Sequence, residues 1–267
     1  MMSRFKHGIS LFLVLILVLV DRVDAETITI AVASNFAVVL EDLIDDFESF
    51  HAGSKVVLVS GSSGKLYAQI KHGAPFDFFM SADQDKPMKL IEDGFAVPET
   101  RFTYAIGALV LWSADPKRID HSDKILKSLA FNKLALANSK LAPYGLAAEQ
   151  VLAKLGLENT SRSRWVQGEN IAQVYQFVAT QNAELGFVAK SQVWKKGALV
   201  SGSVWLIPVE LYSPINQDAV ILKSANNIGL LNEMVRFLQT PDVMNKIESY
   251  GYQSQLMKLE SKTGGQF

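Results

Sequence analysis

With 267 residues and no cysteine, the chain is long enough to bury a core without cross-links. The missing thiols exclude disulfide staples, thiolate chemistry and a cysteine-borne lipid anchor. Twenty-six Lys and Arg stand against 27 Asp and Glu, a net charge of −1, so no basic face is offered to nucleic acid.

Arg4, Lys6 and His7 precede the apolar run 9–20, and Val23-Asp24-Ala25 closes the segment. Charged, then apolar, then cleavable is the order of a secretory signal peptide, and the run is short against the ~20 residues that span a bilayer. Residues 1–25 are therefore expected to be removed after Ala25, leaving a periplasmic chain from Glu26 onward.

Residues 27–33 alternate Thr, Ile and Val and read as a strand. Phe36, Leu40, Leu43, Phe47 and Phe50 then recur at helical spacing, with Glu41, Asp42, Asp45 and Asp46 mostly on another face. A second strand, 55–60, ends in Gly61-Ser62-Ser63-Gly64, and a short helix follows with Leu66 and Ile70. A strand at 78–81 and a helix at 84–92 lead to a long apolar run, 104–112. Next come a strand at 134–137, a helix opened by Pro143 and reaching about 155, an extended stretch 164–167, and a helix 171–180. Strands are read at 185–189, 204–209 and 219–222, then a helix at 228–238 and another with Thr240 as N-cap and Pro241 at its first position. The polar tail beyond Tyr252 is expected to be loose. The alternation predicts an α/β fold with mainly parallel sheets. With no internal repeat in view, two domains joined by two crossings, near Tyr104 and near Gln217, fit better than a tandem pair.

Four places put small or amide-bearing residues where a strand hands over to a helix: Ser34-Asn35, Ser62-Ser63-Gly64, Ala142-Pro143-Tyr144-Gly145 and Glu169-Asn170-Ile171. A helix N-terminus carries unpaired N–H groups and partial positive charge, so an anion binds there without a formal cation. In α/β folds ligands gather at the carboxyl ends of strands, where these loops lie. Taken singly, each loop is also explained as an N-cap or a turn.

The motifs of common enzymes are incomplete. Val59 stands where a Walker A loop needs its first glycine, and Lys65 where a hydrolase elbow needs its second. His51, His72 and His121 are scattered without metal-ligand spacing, and Asp77, Asp83 and Asp85 read as caps or solvated turns rather than a carboxylate pair. Trp165, Tyr175 and Phe177 read as core.

At these loops the chain resembles the periplasmic molybdate-binding proteins of ABC transport systems. The resemblance runs from about Thr27 to Tyr252. It is carried by Ala31-Val32-Ala33-Ser34-Asn35-Phe36, by Gly61-Ser62-Ser63-Gly64-Lys65-Leu66-Tyr67-Ala68-Gln69-Ile70 and by Gly73-Ala74-Pro75-Phe76-Asp77. Ser81-Ala82-Asp83, the run from Arg101 to Gly107, Ala142-Pro143-Tyr144-Gly145 and Glu184-Leu185-Gly186-Phe187-Val188-Ala189 match as well. The resemblance implies a type II periplasmic binding protein, with two α/β domains, a ligand cleft between them and a two-strand hinge. Residues 26–104 and 218–253 would form a discontinuous first domain, 105–217 the second, and 254–267 a tail.

The ligand implied is molybdate or tungstate, with no cofactor, and molybdenum is held only through its oxygens. Ser34 and Ser63 would donate through hydroxyl and backbone N–H, Asn35 through its amide, and Tyr144 and Ile171 through backbone N–H groups. One branch of the family has a ligand-binding tyrosine where Ala189 stands. Alanine offers no hydroxyl there, and Asn35 together with Tyr144 is expected to take over that role. The expected partners are the membrane subunits of an ABC permease, reached by a monomer. Another oxyanion such as sulfate or phosphate, or an anion-sensing role, are the alternatives, and a hydrolase acting at Ser63 lacks a histidine partner.

Overall fold

The computed structural model describes residues 26–253; the apolar run 9–20, the cleavage point and the polar tail lie outside them. Two five-stranded sheets organise the chain. The first domain opens with β1 (Glu26–Ala33), α1 (Ala37–Phe50), β2 (Ser54–Gly61), α2 (Ser63–Lys71), β3 (Phe78–Met80), α3 (Asp85–Glu92) and β4 (Phe102–Gly107). The second holds β5 (Leu109–Ser113), α4 (Lys124–Lys127), β6 (Leu134–Ala137), α5 (Pro143–Lys154), α6 (Glu158–Ser161), β7 (Trp165–Gly168), α7 (Ile171–Ala179) and β8 (Leu185–Ala189). It continues with α8 (Lys190–Val193), the hairpin β9 (Trp194–Lys195) and β10 (Ala198–Leu199), and β11 (Ser203–Leu206). The chain then returns through β12 (Ile215–Ile221) and finishes with α9 (Ile228–Leu238) and α10 (Pro241–Ser249).

The first sheet runs β2-β1-β3-β12-β4 and the second β11-β5-β8-β6-β7. Both are mixed, which corrects the expectation of mainly parallel sheets. β1 is parallel to β2 and β3, but β12 is antiparallel to β3 and β4. β6 is parallel to β7 and β8, but β5 is antiparallel to β8 and β11. The antiparallel strands come from the crossings. The chain leaves the first sheet at Gly107, enters the second at Leu109, and comes back along β12, so the outgoing and returning strands lie side by side. The apolar run 104–112 is thus two strands divided at Ala108.

The pleat assigns alternate residues of β1 to opposite faces. Ile28, Ile30 and Val32 pack with Leu40, Leu43 and Phe47 of α1 and with Leu231, Met234 and Leu238 of α9. Ala31 faces the other way, among Leu66 and Ile70 of α2 and Phe79 of β3. Buried on both faces, the strand is a continuous apolar run from Ile30, as a covered parallel strand should be. Its carboxyl end is therefore fixed by two layers of packing. In the second domain Leu134 and Leu136 lie in one buried core with Ala148 and Val151 of α5 and Val174 and Val178 of α7.

Candidate functional site

The four loops picked out in the sequence converge on one cavity. Ala33, Ser34 and Asn35 follow β1; Gly61, Ser62 and Ser63 follow β2; Ala142, Pro143 and Tyr144 open α5; and Ile171 opens α7. Ala82 completes the lining of this small cavity. The first domain's loops sit at the carboxyl ends of two adjacent parallel strands, and β6 and β7 end against the same space from the other side. Ala82, Ala142 and Pro143 are shared with a wider groove that includes Asp83, Lys86, Ser139 and Gln150.

Most of these residues are not ordinary caps. The N-cap of α1 is Phe36, so Ser34 and Asn35 stand ahead of the helix and cap nothing. Ser62 is the N-cap of α2 and Ala142 that of α5, and neither side chain closes on the helix. Asn170 is a true cap: its Oδ1 accepts the N–H of Gln173 at 3.0 Å. That leaves Ile171 as the first residue of α7, Ser63 as the first of α2 and Tyr144 as the second of α5, positions whose N–H groups have no intrahelical acceptor. The three helix N-termini bring their partial positive charge to the same cavity.

The side chains add donors of their own. Ser63, only 1% exposed, accepts the N–H of Ala82 at 2.9 Å on its hydroxyl oxygen and keeps its own proton to donate. The N–H of Ser34 donates to the carbonyl of Gly61 at 2.9 Å, joining the first two loops, so the donor Ser34 can offer is its hydroxyl. The amide of Asn35 differs from expectation. Its Nδ2 donates to Gln217 Oε1 and to the hydroxyl oxygen of Tyr252, both at 2.9 Å, which commits both amide protons and leaves the backbone N–H for the cavity.

That amide belongs to a buried network that crosses between the domains. The hydroxyl of Tyr104 donates to Gln217 Oε1 at 2.9 Å, and Gln217 Nε2 donates to the hydroxyl oxygen of Tyr144 at 3.2 Å. The hydroxyls of Tyr252 and Ser191 both donate to the carbonyl of Asn35, at 2.8 and 3.0 Å. Burial pushes Tyr104 and Tyr144 well above the usual phenol range and Tyr252 to about 12, so all three stay neutral beside the cavity. On the rim, the N–H of Gly64 donates to the carbonyl of Leu141 at 2.9 Å, and Lys65 pairs with Glu169 at 2.7 Å, two further links between domains.

Ala189 is fully buried at the end of β8, and its N–H donates to Gln192 Oε1, while Gln192 Nε2 donates to the carbonyl of Ile171 at 3.1 Å. Gln192 thus positions the Ile171 loop. The acidic candidates are structural: Asp77 accepts the N–H of Thr29 at 2.7 Å, Asp83 that of Lys86 at 3.0 Å, and Asp85 pairs with Lys89. His51 and His121 bond the carbonyls of Phe47 and Val204, away from the cavity. Among the described residues no group of three His, Asp or Glu could hold a metal ion, and no helix is long and apolar enough to cross a membrane.

A cleft between two α/β domains, crossed twice by the chain and lined by neutral donors, defines a periplasmic binding protein. The chain belongs to the bacterial extracellular solute-binding proteins, whose family model matches residues 28–253. It is 48% identical over 229 residues to the molybdate-binding protein ModA of Azotobacter vinelandii, covering 86% of this chain and 90% of that one. The corresponding protein of Rhodobacter capsulatus is 45% identical over 222 residues, covering 83% and 86%. The solved structure of the Azotobacter vinelandii periplasmic molybdate-binding protein superposes with a TM-score of 0.82 at 41% identity, covering 85% of this chain and 99% of that one.

Proposed function

We propose that this protein captures molybdate or tungstate in the periplasm, after removal of residues 1–25, and delivers it as a monomer to the membrane subunits of an ABC permease. The observation that carries the reading is the convergence of helix-start N–H groups and buried serine hydroxyls on one uncharged cavity. Ser34 and Ser63 donate hydroxyls, while Asn35, Ser63, Tyr144 and Ile171 donate backbone N–H groups. The relatives named for molybdate supply the ligand's identity.

Neutral donors suit a dianion that must later be released. Hydrogen bonds to a charged group contribute about 1.5–3 kcal/mol each, and several together reach micromolar to nanomolar affinity after desolvation and closure. Phosphate near neutral pH carries a proton that needs an acceptor, and the cavity is lined by no carboxylate. Sulfate is fully deprotonated, and a rigid cage separates it by size.

β4 and β12 run side by side where the chain changes domain, with a bulge between Gln217 and Asp218, and act as the hinge. Catalysis is disfavoured by the same lining: neither histidine nor carboxylate adjoins Ser63 in the cavity to take its proton. Calorimetric titration of the chain from Glu26 onward with molybdate, tungstate, sulfate and phosphate tests the reading. One-to-one binding of the first two, with sulfate at least about a hundredfold weaker, is expected; preference for sulfate or phosphate would transfer the protein to another anion.

A further inference from the structure

Three buried side-chain atoms find no hydrogen-bond partner among the described residues: Ser62 Oγ, Gln69 Oε1 and Arg118 Nε. Of the three residues, Ser62 alone lines the cavity between the domains. We propose that Ser62 is a further donor to the bound oxyanion, its hydroxyl adding to those of Ser34 and Ser63; this rests on the anion-binding reading above.

Ser62 is 3% exposed and stands in an extended conformation, φ −71° and ψ 145°, as the N-cap of α2. An N-cap serine ordinarily turns its oxygen onto the N–H of the second or third helical residue. Here that bond is not made. The second residue is Gly64, whose N–H is already directed across the cleft to the carbonyl of Leu141 at 2.9 Å. The hydroxyl is thus removed from water and from the helix together. A buried polar group left unpaired is destabilising, and alanine at this position would carry no such penalty. The cost is relieved if the missing partner arrives with the ligand.

A tetrahedral dianion offers only acceptor oxygens, and a serine hydroxyl rotates freely to donate to one of them. Its neighbour Ser63 is held by the N–H of Ala82, which fixes its oxygen and aims its proton. Ser62 has no such anchor, so its donor can follow whichever oxygen the three helix N-termini leave unserved. The two serines would then present adjacent donors from one helix start, one fixed and one adjustable.

The test is calorimetric titration with molybdate of the wild-type chain, Ser62→Ala and Ser62→Thr, together with thermal melting of each ligand-free protein. The expected result for Ser62→Ala is about tenfold or greater loss of affinity, with a ligand-free melting temperature equal to or above wild type. Ser62→Thr, which keeps a hydroxyl, is expected to bind more tightly than Ser62→Ala. Unchanged affinity in Ser62→Ala would overturn the proposal, showing that solvent satisfies the hydroxyl. A lower ligand-free melting temperature in Ser62→Ala would also overturn it, by assigning the hydroxyl to the fold. Failure of the wild-type chain to bind molybdate would instead remove the anion-binding reading itself, and this inference with it.

Discussion

Gly64 is where closure can be tested without touching a ligand donor. It is the second residue of α2, and its N–H meets the carbonyl of Leu141 from the opposite domain. A Cβ at this position would lie 3.0 Å from both Leu141 Cα and Leu141 O, tighter than ordinary packing. These atoms are backbone, and their loop is pinned: the N–H groups of Leu141 and Ala142 both donate to the carbonyl of Asn138, whose own N–H donates to Gly168. The loop has little room to yield. Gly64→Ala should therefore lose an interdomain hydrogen bond, about 0.5–1.5 kcal/mol, and add overpacking of about 1–3 kcal/mol to the closed form. Together these weaken molybdate binding by about tenfold to about 2,000-fold. The same substitution removes a helical glycine, which favours α2 by up to about 1 kcal/mol in open and closed forms alike. Calorimetry should thus show affinity falling while circular dichroism shows an intact fold. Unchanged affinity would refute the claim that the bound state brings Gly64 onto Leu141.

Ser63→Ala should weaken molybdate binding by about tenfold or more while circular dichroism shows an intact fold; unchanged affinity would remove the hydroxyl from the site. Lys65 and Glu169 are 52% and 37% exposed in their side chains, so their ion pair is screened and worth at most about 1 kcal/mol. Lys65→Met should alter affinity by less than about fivefold, and a larger change in a salt-dependent titration would give the pair a greater part. Burial raises Tyr250 and Tyr252 to about 12, with a hydrogen bond to Asp42 adding to the effect at Tyr250. A folded-state pKa above the unfolded one, near 10, gives stability that is complete below pH 10 and drains away as pH rises toward 12. Melting temperatures measured across that window should fall, less steeply in Tyr252→Phe; a flat profile would contradict the placement of these phenols.

Much of this was legible in the sequence because local pattern and tertiary fate agree. The β-rich run that made 27–33 a strand is buried on both faces from Ile30 onward, and the 36-40-43-47 spacing that made a helix put those side chains against it. The four loops were visible because strand-to-helix turns leave compositional marks. What escaped the sequence is non-local. Gln217 and Tyr252 are ordinary polar residues until the fold sets them 2.9 Å from the amide of Asn35, across 182 and 217 residues of chain. The antiparallel returns depend on pairing register, which no window along the chain reveals. The hairpin β9–β10 was hidden for another reason: Lys196 holds the first positive-φ position, at 52°, where asparagine or glycine would have advertised the turn. Ser62 did carry a signal, its place beside Ser63, but only burial without a partner distinguishes it from a routine cap.

The most direct test of the central claim is a crystal structure of the chain from Glu26 onward grown with molybdate, with molybdenum located by its anomalous scattering. One peak is expected in the cavity framed by Ser34, Ser63, Tyr144 and Ile171, with Gly64 seated on Leu141. A peak in the wider groove beside Asp83 and Lys86, or none in a crystal shown to be saturated, would contradict it.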